Sequence, residues 1–284
     1  MKKQKIKLFQ TRDFAQNLQL SIAFIKQNYL SISKGLCYLI PLFLVVAFLQ
    51  PDSAAFQTNI YNESNPFAIY RQIYTLPVIL GNVLSLLGFT FVMVYVASYM
   101  AIYSESKNGE VNQPEVWSRS LRAIVPVFFG QILYSVIMTF GLILCIIPGI
   151  IFAVFFMFYG YVYIVEDYSL IESFKKSWQL VKNNWWVTFG YSVVVGVSMT
   201  IVGGILFIPS CLVSLGAALK IDIFSSGAYQ YIANTISNVG MMFICPVVYI
   251  AFGIMYFNLR NRIENIDIYD DINAIGNGNP HNNN

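Results

Sequence analysis

Five long stretches without a charged residue constrain this fold more than any other feature of the sequence. Residues 35–51, 72–104, 123–165, 183–219 and 223–259 contain no Asp, Glu, Lys or Arg. A mostly apolar run of about 18 residues or more is typical of a membrane-spanning helix. Only 11% of all residues are charged, whereas a soluble domain has roughly 25%. We therefore predict an all-α, polytopic integral membrane bundle.

The run 123–165 is too long for one crossing of a membrane. As a single helix it would extend roughly 65 Å, about twice the ~30 Å hydrocarbon core. Pro148 and Gly149 favour a tight hairpin within it, because proline lacks a backbone donor and glycine tolerates turn geometry. The predicted spans are then about six: 33–50, 76–103, 123–147, 149–166, 185–208 and 236–259. For residues 209–235 a loop and a re-entrant or surface helix are both open.

The distribution of basic residues predicts the orientation of the spans. With six spans, fifteen Lys and Arg residues fall on one side, and only Arg71 and Lys220 fall on the other. Cytoplasmic loops of membrane proteins collect Lys and Arg. Both termini are therefore expected in the cytoplasm. Residues 1–268 are interpreted as one membrane domain, and the polar residues 269–284 as a disordered cytoplasmic tail.

A charged segment between the fourth and fifth spans is predicted to be an amphipathic helix over residues 169–183. Ser169 and Glu172 have the spacing of a capping box at its start. The apolar residues then recur at helical spacing: Leu170, Phe174, Trp178 and Val181. Such a face with basic residues beside it suits the interface of a bilayer that contains anionic lipids. A plain connecting loop is the alternative.

The same pattern occurs near the N-terminus, where an interfacial helix is predicted over residues 13–28. At a constant offset of 156, Ser21 corresponds to Ser177 and Lys26 to Lys182. A shorter version precedes the third span. We therefore predict a pseudo-repeat of three units, each consisting of an interfacial helix and a pair of spans. Transporters use pseudosymmetric repeats, although not only transporters do.

The stretch from Gly141 to about Gly190 resembles a known family. The matching features are Pro148-Gly149, Glu166-Asp167, Ser169, Lys176-Ser177-Trp178 and Lys182–Trp186. They are similar to the membrane domain that some bacteria fuse to glycerophosphodiester phosphodiesterases, and to its stand-alone relatives of unknown function. The segment 256–268 resembles the closing motif of that family, with Asn258 where Asp is usual and Asn265 where Gly is usual. The resemblance implies a bacterial inner-membrane module without established chemistry of its own.

The sequence offers little that could catalyse a reaction. Its only histidine is His281, which excludes a His-ligated metal or haem within the bundle and any Ser–His or Cys–His pair. The four cysteines show no CxxC spacing and are interpreted as packing residues. The metal-binding acids and histidines of the phosphodiesterase barrel are not present. We expect no enzymatic activity, no cofactor, no bound metal and no nucleic-acid partner.

Charged residues at the ends of the spans form the candidate site, for an interfacial role or for a lipid headgroup. They are Glu166, Asp167, Lys175, Lys176, Lys182, Arg260 and Arg262. In one interpretation these charges are an anchor that fixes the depth of the spans and forms ion pairs. In the other, the basic residues meet lipid phosphate or a membrane protein partner.

Two functions follow from these interpretations. The first is a non-enzymatic module that engages anionic lipids and organises a membrane process or supports a partner protein. The second is a transporter or channel for a small or lipidic solute. They differ in structure, because a transporter needs a polar, water-accessible cavity near the middle of the membrane.

Overall fold

The computed structural model describes residues 5–50 and 75–268, and every regular element in these residues is helical. The helices are α1 (Phe14–Leu36), a 3₁₀ turn (Cys37–Leu39), α2 (Ile40–Leu49), α3 (Leu76–Glu105), α4 (Gln113–Leu144), α5 (Ile146–Phe156), α6 (Tyr159–Glu166), α7 (Leu170–Lys182), α8 (Trp185–Leu206), α9 (Ile208–Leu219), α10 (Asp222–Ser225) and α11 (Gly227–Glu264). The predicted all-α class is confirmed. The tail predicted at 269–284 lies outside the described residues.

Six helical stretches of the described residues are long and apolar enough to cross a membrane. They are Phe14–Leu49, Leu76–Glu105, Gln113–Leu144, Ile146–Glu166, Trp185–Leu206 and Gly227–Glu264. Each exceeds the roughly 18 apolar residues that a crossing needs. The protein is therefore a multi-pass membrane protein.

Several helices begin earlier than the spans drawn from the sequence. The predicted helix 13–28 and span 33–50 are joined without a loop, since α1 continues through the 3₁₀ turn into α2. Gln113 begins α4 because Pro114 is accommodated in the first helical turn. The region 209–235 is helical throughout most of its length and contains α9, α10 and the first turns of α11.

Internal contacts divide the chain into two compact units. Of the described residues, the first unit comprises 5–29, 94–194 and 249–268, and the second comprises 30–50, 75–93 and 195–248. The interpretation of residues 1–268 as one membrane domain stays a prediction, because hydrophobic runs show where a chain crosses a bilayer but not how its contacts cluster. All the candidate site residues belong to the first unit.

Buried tyrosines organise the core of the first unit. The hydroxyl of Tyr161 donates to the carbonyl oxygen of Tyr249 at 2.5 Å, and that of Tyr191 donates to Ala251 at 3.1 Å. A tyrosine supplies apolar bulk and a donor that needs a partner when buried. Both acceptors lie on α11, so these bonds join α6 and α8 to that helix.

Small residues and short polar side chains connect the helices of the second unit. A Cβ atom on Gly88 would lie 3.0 Å from the ring of Phe43, so the glycine permits close packing of α2 against α3. Ser237 of α11 donates to the carbonyl oxygen of Leu206 at 3.0 Å. Asn234 donates to the carbonyl oxygen of Ala47 at 3.5 Å. Amide and hydroxyl bonds of this kind satisfy polar groups among apolar helices.

A tight turn joins α4 to α5, but it lies earlier than the predicted break at Pro148 and Gly149. The chain turns at Cys145, which has an extended backbone, and both predicted residues fall in the first turn of α5. Proline is tolerated there because the first backbone donors of a helix have no acceptor within the helix. Gly149 instead lets the two helices approach, since a Cβ atom on Gly141 would lie 2.8 Å from the Cα atom of Gly149.

A second break, between α5 and α6, is bridged by a side chain of α7. Ser177 donates to the carbonyl oxygen of Phe155 at 2.8 Å and accepts from the backbone N–H of Phe158 at 3.2 Å. Trp178 stacks on Phe155 with ring centroids 3.7 Å apart. The apolar face of α7 therefore packs against other helices of the protein, whereas the sequence pattern placed it on a bilayer surface.

Replacing Ser177 with Ala should lower the free energy of unfolding by about 1–3 kcal/mol, because the buried polar groups at the break lose their partner. Thermal or denaturant unfolding of the purified protein in a mild detergent measures this. The matched control is Ser135→Ala, because the one bond of Ser135 to a described residue is to the carbonyl oxygen of Gln131 in its own helix. Equal losses in the two variants would contradict the bridging role.

Candidate functional site

A buried carboxylate ends α6 and is the centre of the candidate site. The side chain of Glu166 is 4% exposed. Its Oε1 atom accepts a hydrogen bond from the hydroxyl of Tyr256 at 2.7 Å. Its Oε2 atom lies 3.6 Å from Nε of Arg260 and 3.9 Å from Nζ of Lys176. Three helices, α6, α7 and α11, therefore meet at one carboxylate.

A second carboxylate, which the sequence did not single out, completes this cluster. Glu264 accepts from Nζ of Lys176 at 2.5 Å and from Nε of Arg260 at 2.8 Å. Its spacing of four residues from Arg260 is the usual spacing of an ion pair on one helix face. The pair of Arg260 and Glu264 could therefore have been predicted from the sequence. We call Glu166, Lys176, Tyr256, Arg260 and Glu264 the carboxylate cluster.

The carboxylate cluster is formally neutral, with two carboxylates and two cations. Partial burial acts to lower the pKa of Lys176, but the hydrogen bond to Glu264 and the charges of Glu264 and Glu166 outweigh it and raise that pKa. The guanidinium of Arg260 also lies 5.5 Å above the ring of Phe9, a favourable cation–π geometry. Each charge thus has compensating groups, as burial requires.

Asp167, the other member of the acidic pair, belongs to a different site. It has a left-handed backbone, with φ of 54°, and it lines a polar pocket of about 470 Å³. The other lining residues are Glu105, Glu115, Arg119, Arg122, Ala123, Tyr163 and Ile164. Arg119 is held in place, because it donates to Glu105 at 2.9 Å and to the carbonyl oxygen of Ile164 at 2.8 Å. We call this the arginine pocket.

The next two motif residues begin α7. Ser169 and Glu172 form a reciprocal capping box, each side chain bonding the backbone N–H of the other. The side-chain and backbone hydrogen bonds from Ser169 lower the pKa of Glu172, and the charge of Lys175 contributes further. Lys175 itself is exposed. These residues stabilise the start of the helix and lie outside the carboxylate cluster.

Arg262 and Asn258 bind the N-terminal segment instead of joining the cluster. Asn258 accepts from the backbone N–H of Arg12 at 3.0 Å and donates to its carbonyl oxygen at 3.2 Å. Arg262 donates to the same carbonyl at 2.6 Å. An amide has both a donor and an acceptor, so Asn258 satisfies both backbone groups. Asn265 has φ of 52°, a conformation in which glycine is usual and asparagine is tolerated.

The last candidate, Lys182, lies in an apolar groove of about 620 Å³ at the junction of α7 and α8. The groove is lined by Ile147, Ile150, Ile151, Phe155, Lys182, Asn183, Asn184, Trp185, Trp186 and Val187. Lys182 is the one charged residue in this lining. The sequence indicated the basic residue but not the groove, which depends on how α5 packs beside the end of α7.

The seven predicted site residues are therefore distributed over several locations. Glu166, Lys176 and Arg260 are together, whereas Asp167, Lys182 and Arg262 each have other neighbours. Among the residues that the structure describes, no group of three or more His, Cys, Asp or Glu side chains is arranged to hold a metal ion. The candidate site is built from ion pairs and hydrogen bonds.

Changing Glu166 to Gln should lower the free energy of unfolding by about 1–3 kcal/mol, since two half-buried cations would then share one carboxylate. Denaturant unfolding in lipid-free detergent measures the loss. Asp167→Asn is the matched control, because this neighbouring acid lies outside the cluster and its change should stay within about 0.5 kcal/mol. A loss no larger than that of the control would refute the proposed role of Glu166.

Changing Asn258 to Asp should release the N-terminal segment, because a carboxylate cannot donate to the Arg12 carbonyl and is repelled by it. The expected loss is about 1–3 kcal/mol, together with faster hydrogen exchange over residues 5–13. Asn265→Asp makes the same chemical change at an exposed residue and should leave exchange unaltered. Unchanged protection of the segment in Asn258→Asp would contradict this role of Asn258.

Comparison with known proteins places the site within a family. A family model described as a domain of unknown function, DUF7847, matches residues 74–259. No curated protein and no solved structure gives a significant match. The matched region contains Glu166, Lys176 and Tyr256 and ends just before Arg260. Since it covers more than half of the sequence, the chain belongs to the DUF7847 family, whose function is unknown.

Proposed function

We propose that the protein is a non-enzymatic module of the bacterial inner membrane that binds an anionic phospholipid and supports a partner membrane protein. The observation that carries this proposal is the groove beside Lys182. Its apolar lining and single cation suit a molecule with a hydrocarbon chain and a negatively charged headgroup.

The residues of the groove match the two parts of such a lipid. Ile147, Ile150 and Phe155 present apolar surface that favours contact with an acyl chain. The ammonium of Lys182 is a compact positive charge that can meet a phosphate. Trp186 is 77% exposed, and tryptophan is enriched at the boundary between membrane and water. The groove therefore has residues suited to a lipid headgroup and residues suited to an acyl chain.

The carboxylate cluster supports a structural role for the buried acids. A general base has to reach a proton of its substrate with a free lone pair. Glu166 is buried and bonded to Tyr256, with Lys176 and Arg260 beside it. Glu264 is bonded to the same two cations. These contacts favour a structural anchor that joins α6, α7 and α11, and they argue against an acid–base pair.

The excess of Lys and Arg on one side supports a cytoplasmic location for both termini. In that orientation the cluster, the arginine pocket and Lys182 would lie on the cytoplasmic side, where anionic lipids attract basic residues. The resemblance to membrane domains fused to glycerophosphodiester phosphodiesterases supports a partner that acts on lipid headgroups or their soluble products.

Changing Lys182 to Gln should weaken binding of an anionic lipid about fivefold, because one basic residue near an anionic surface contributes about 1 kcal/mol. Native mass spectrometry of the detergent-purified protein, titrated with phosphatidylglycerol and with phosphatidylcholine, measures this change. Binding of phosphatidylcholine should be unaltered.

Lys175→Gln is the matched control, since Lys175 is an exposed lysine on α7 outside the groove. The Lys182 variant also leaves the carboxylate cluster intact, which a change of Lys176 would not. Equal affinity of wild type and Lys182→Gln for phosphatidylglycerol would overturn the proposed lipid site.

A further inference from the structure

The arginine pocket differs from the groove in position and in charge, and we propose that it binds a phosphoethanolamine headgroup. The ligand chemistry is a phosphate joined by a short linker to a primary ammonium. This pocket is formed by the start of α4 and the ends of α3 and α6, whereas the groove involves α5, α7 and α8. The proposal therefore does not depend on lipid binding at Lys182.

The formal charges of the lining residues select a zwitterion. Glu105, Glu115 and Asp167 contribute three negative charges, and Arg119 and Arg122 contribute two positive ones. A phosphate without a cation would face excess negative charge, and a simple cation would leave the arginines without an anionic ligand. A ligand that carries both charges matches both sets.

Two carboxylates and one arginine retain hydrogen-bonding capacity for that ligand. Arg119 is used by Glu105 and by the carbonyl oxygen of Ile164. Arg122 makes one long bond, 3.4 Å from Nε to the carbonyl oxygen of Ser118 in its own helix, and its terminal nitrogens bond no described residue. Glu115 and Asp167 likewise have no side-chain partner within residues 5–50 and 75–268. Arg122 would hold the phosphate, and the two acids would accept from the ammonium.

The surface next to the pocket favours a lipid as the source of this headgroup. Leu121, Val125 and Phe129 follow at intervals of four residues on α4 and are 57%, 60% and 60% exposed. They form an outward apolar stripe that begins beside Arg122. In a membrane protein such a stripe faces acyl chains. The pocket thus lies at the polar end of a lipid-facing surface, where a headgroup belongs.

A primary ammonium is favoured over a quaternary one for a chemical reason. The ethanolamine nitrogen carries three N–H donors, and ionised carboxylates are pure acceptors. The trimethylammonium of choline has no N–H group, so it can only make a weaker electrostatic contact. Headgroup discrimination should therefore reside in Glu115 and Asp167.

The experiment compares phosphatidylethanolamine with phosphatidylcholine of identical acyl chains, titrated onto the delipidated full chain and measured by native mass spectrometry. Wild type should bind phosphatidylethanolamine about tenfold more tightly, the difference expected of one charged hydrogen bond. The double variant Glu115→Gln/Asp167→Asn should lose this preference. Arg122→Gln should weaken the binding of both lipids by a similar factor.

Two control variants test the location of the effect. Glu110→Gln changes an exposed acid outside the pocket and should keep the full preference, as should Lys182→Gln. Thermal unfolding of each variant in detergent establishes that it is folded. If the double variant is not folded, the single variant Asp167→Asn replaces it in the experiment. If Lys182→Gln loses phosphatidylglycerol binding but keeps the preference for phosphatidylethanolamine, the arginine pocket and the groove are separate sites. The two proposals can therefore fail independently.

A further arm distinguishes the two sources of the headgroup. Soluble glycerophosphoethanolamine, added at millimolar concentration, should displace little lipid if the apolar stripe contributes to binding. Full displacement would identify the soluble headgroup as the ligand, with the same chemistry in the pocket. Equal binding of the two lipids by wild type, or an unchanged preference in the acid variants, would overturn the proposal.

Discussion

The burial of the Glu166 carboxylate is the constraint on which the rest of this structure depends. An isolated buried charge costs several kcal/mol, so compensating groups have to converge on it. Tyr256, Lys176 and Arg260 do so from α7 and α11. Because each comes from a fixed position on its helix, the end of α6, the middle of α7 and the last turns of α11 must meet in one arrangement. Arg260 extends this constraint to the N-terminal segment through Phe9.

Three consecutive residues of α7 show how one helix serves several neighbours. Lys176 reaches the carboxylates, Ser177 satisfies the backbone at the break between α5 and α6, and Trp178 stacks on Phe155. Successive side chains of a helix point in different directions, so these contacts surround α7 on more than one side. The same helix therefore stabilises the break between α5 and α6 and the carboxylate cluster. This explains why a polar helix interrupts so apolar a chain.

Local patterns in the sequence were sufficient for the class of fold and for some of the site. Four of the five uncharged runs exceed the length of a span, so membrane crossing follows from composition alone, and the capping box depends only on residues 169–172. Features that depend on packing were not accessible in this way. The apolar periodicity of α7 indicates a buried face but not what covers it, and helices of the protein cover it here. Glu264 was overlooked because its partner Lys176 comes from a separate helix, although its spacing from Arg260 could be seen in the sequence. The break predicted at Pro148 moved to Cys145 because proline fits a first helical turn.

The sequence separation within the carboxylate cluster has a consequence for how the protein is made. Glu166 and Tyr256 are ninety residues apart, and Arg260 and Glu264 follow still later. While the chain emerges from the ribosome, Lys176 is the first of the three partners to follow the carboxylate, and Tyr256 and Arg260 come later with α11. The cluster therefore closes only after α11 has been made, so a chain that stops before α11 leaves the acid of α6 largely uncompensated.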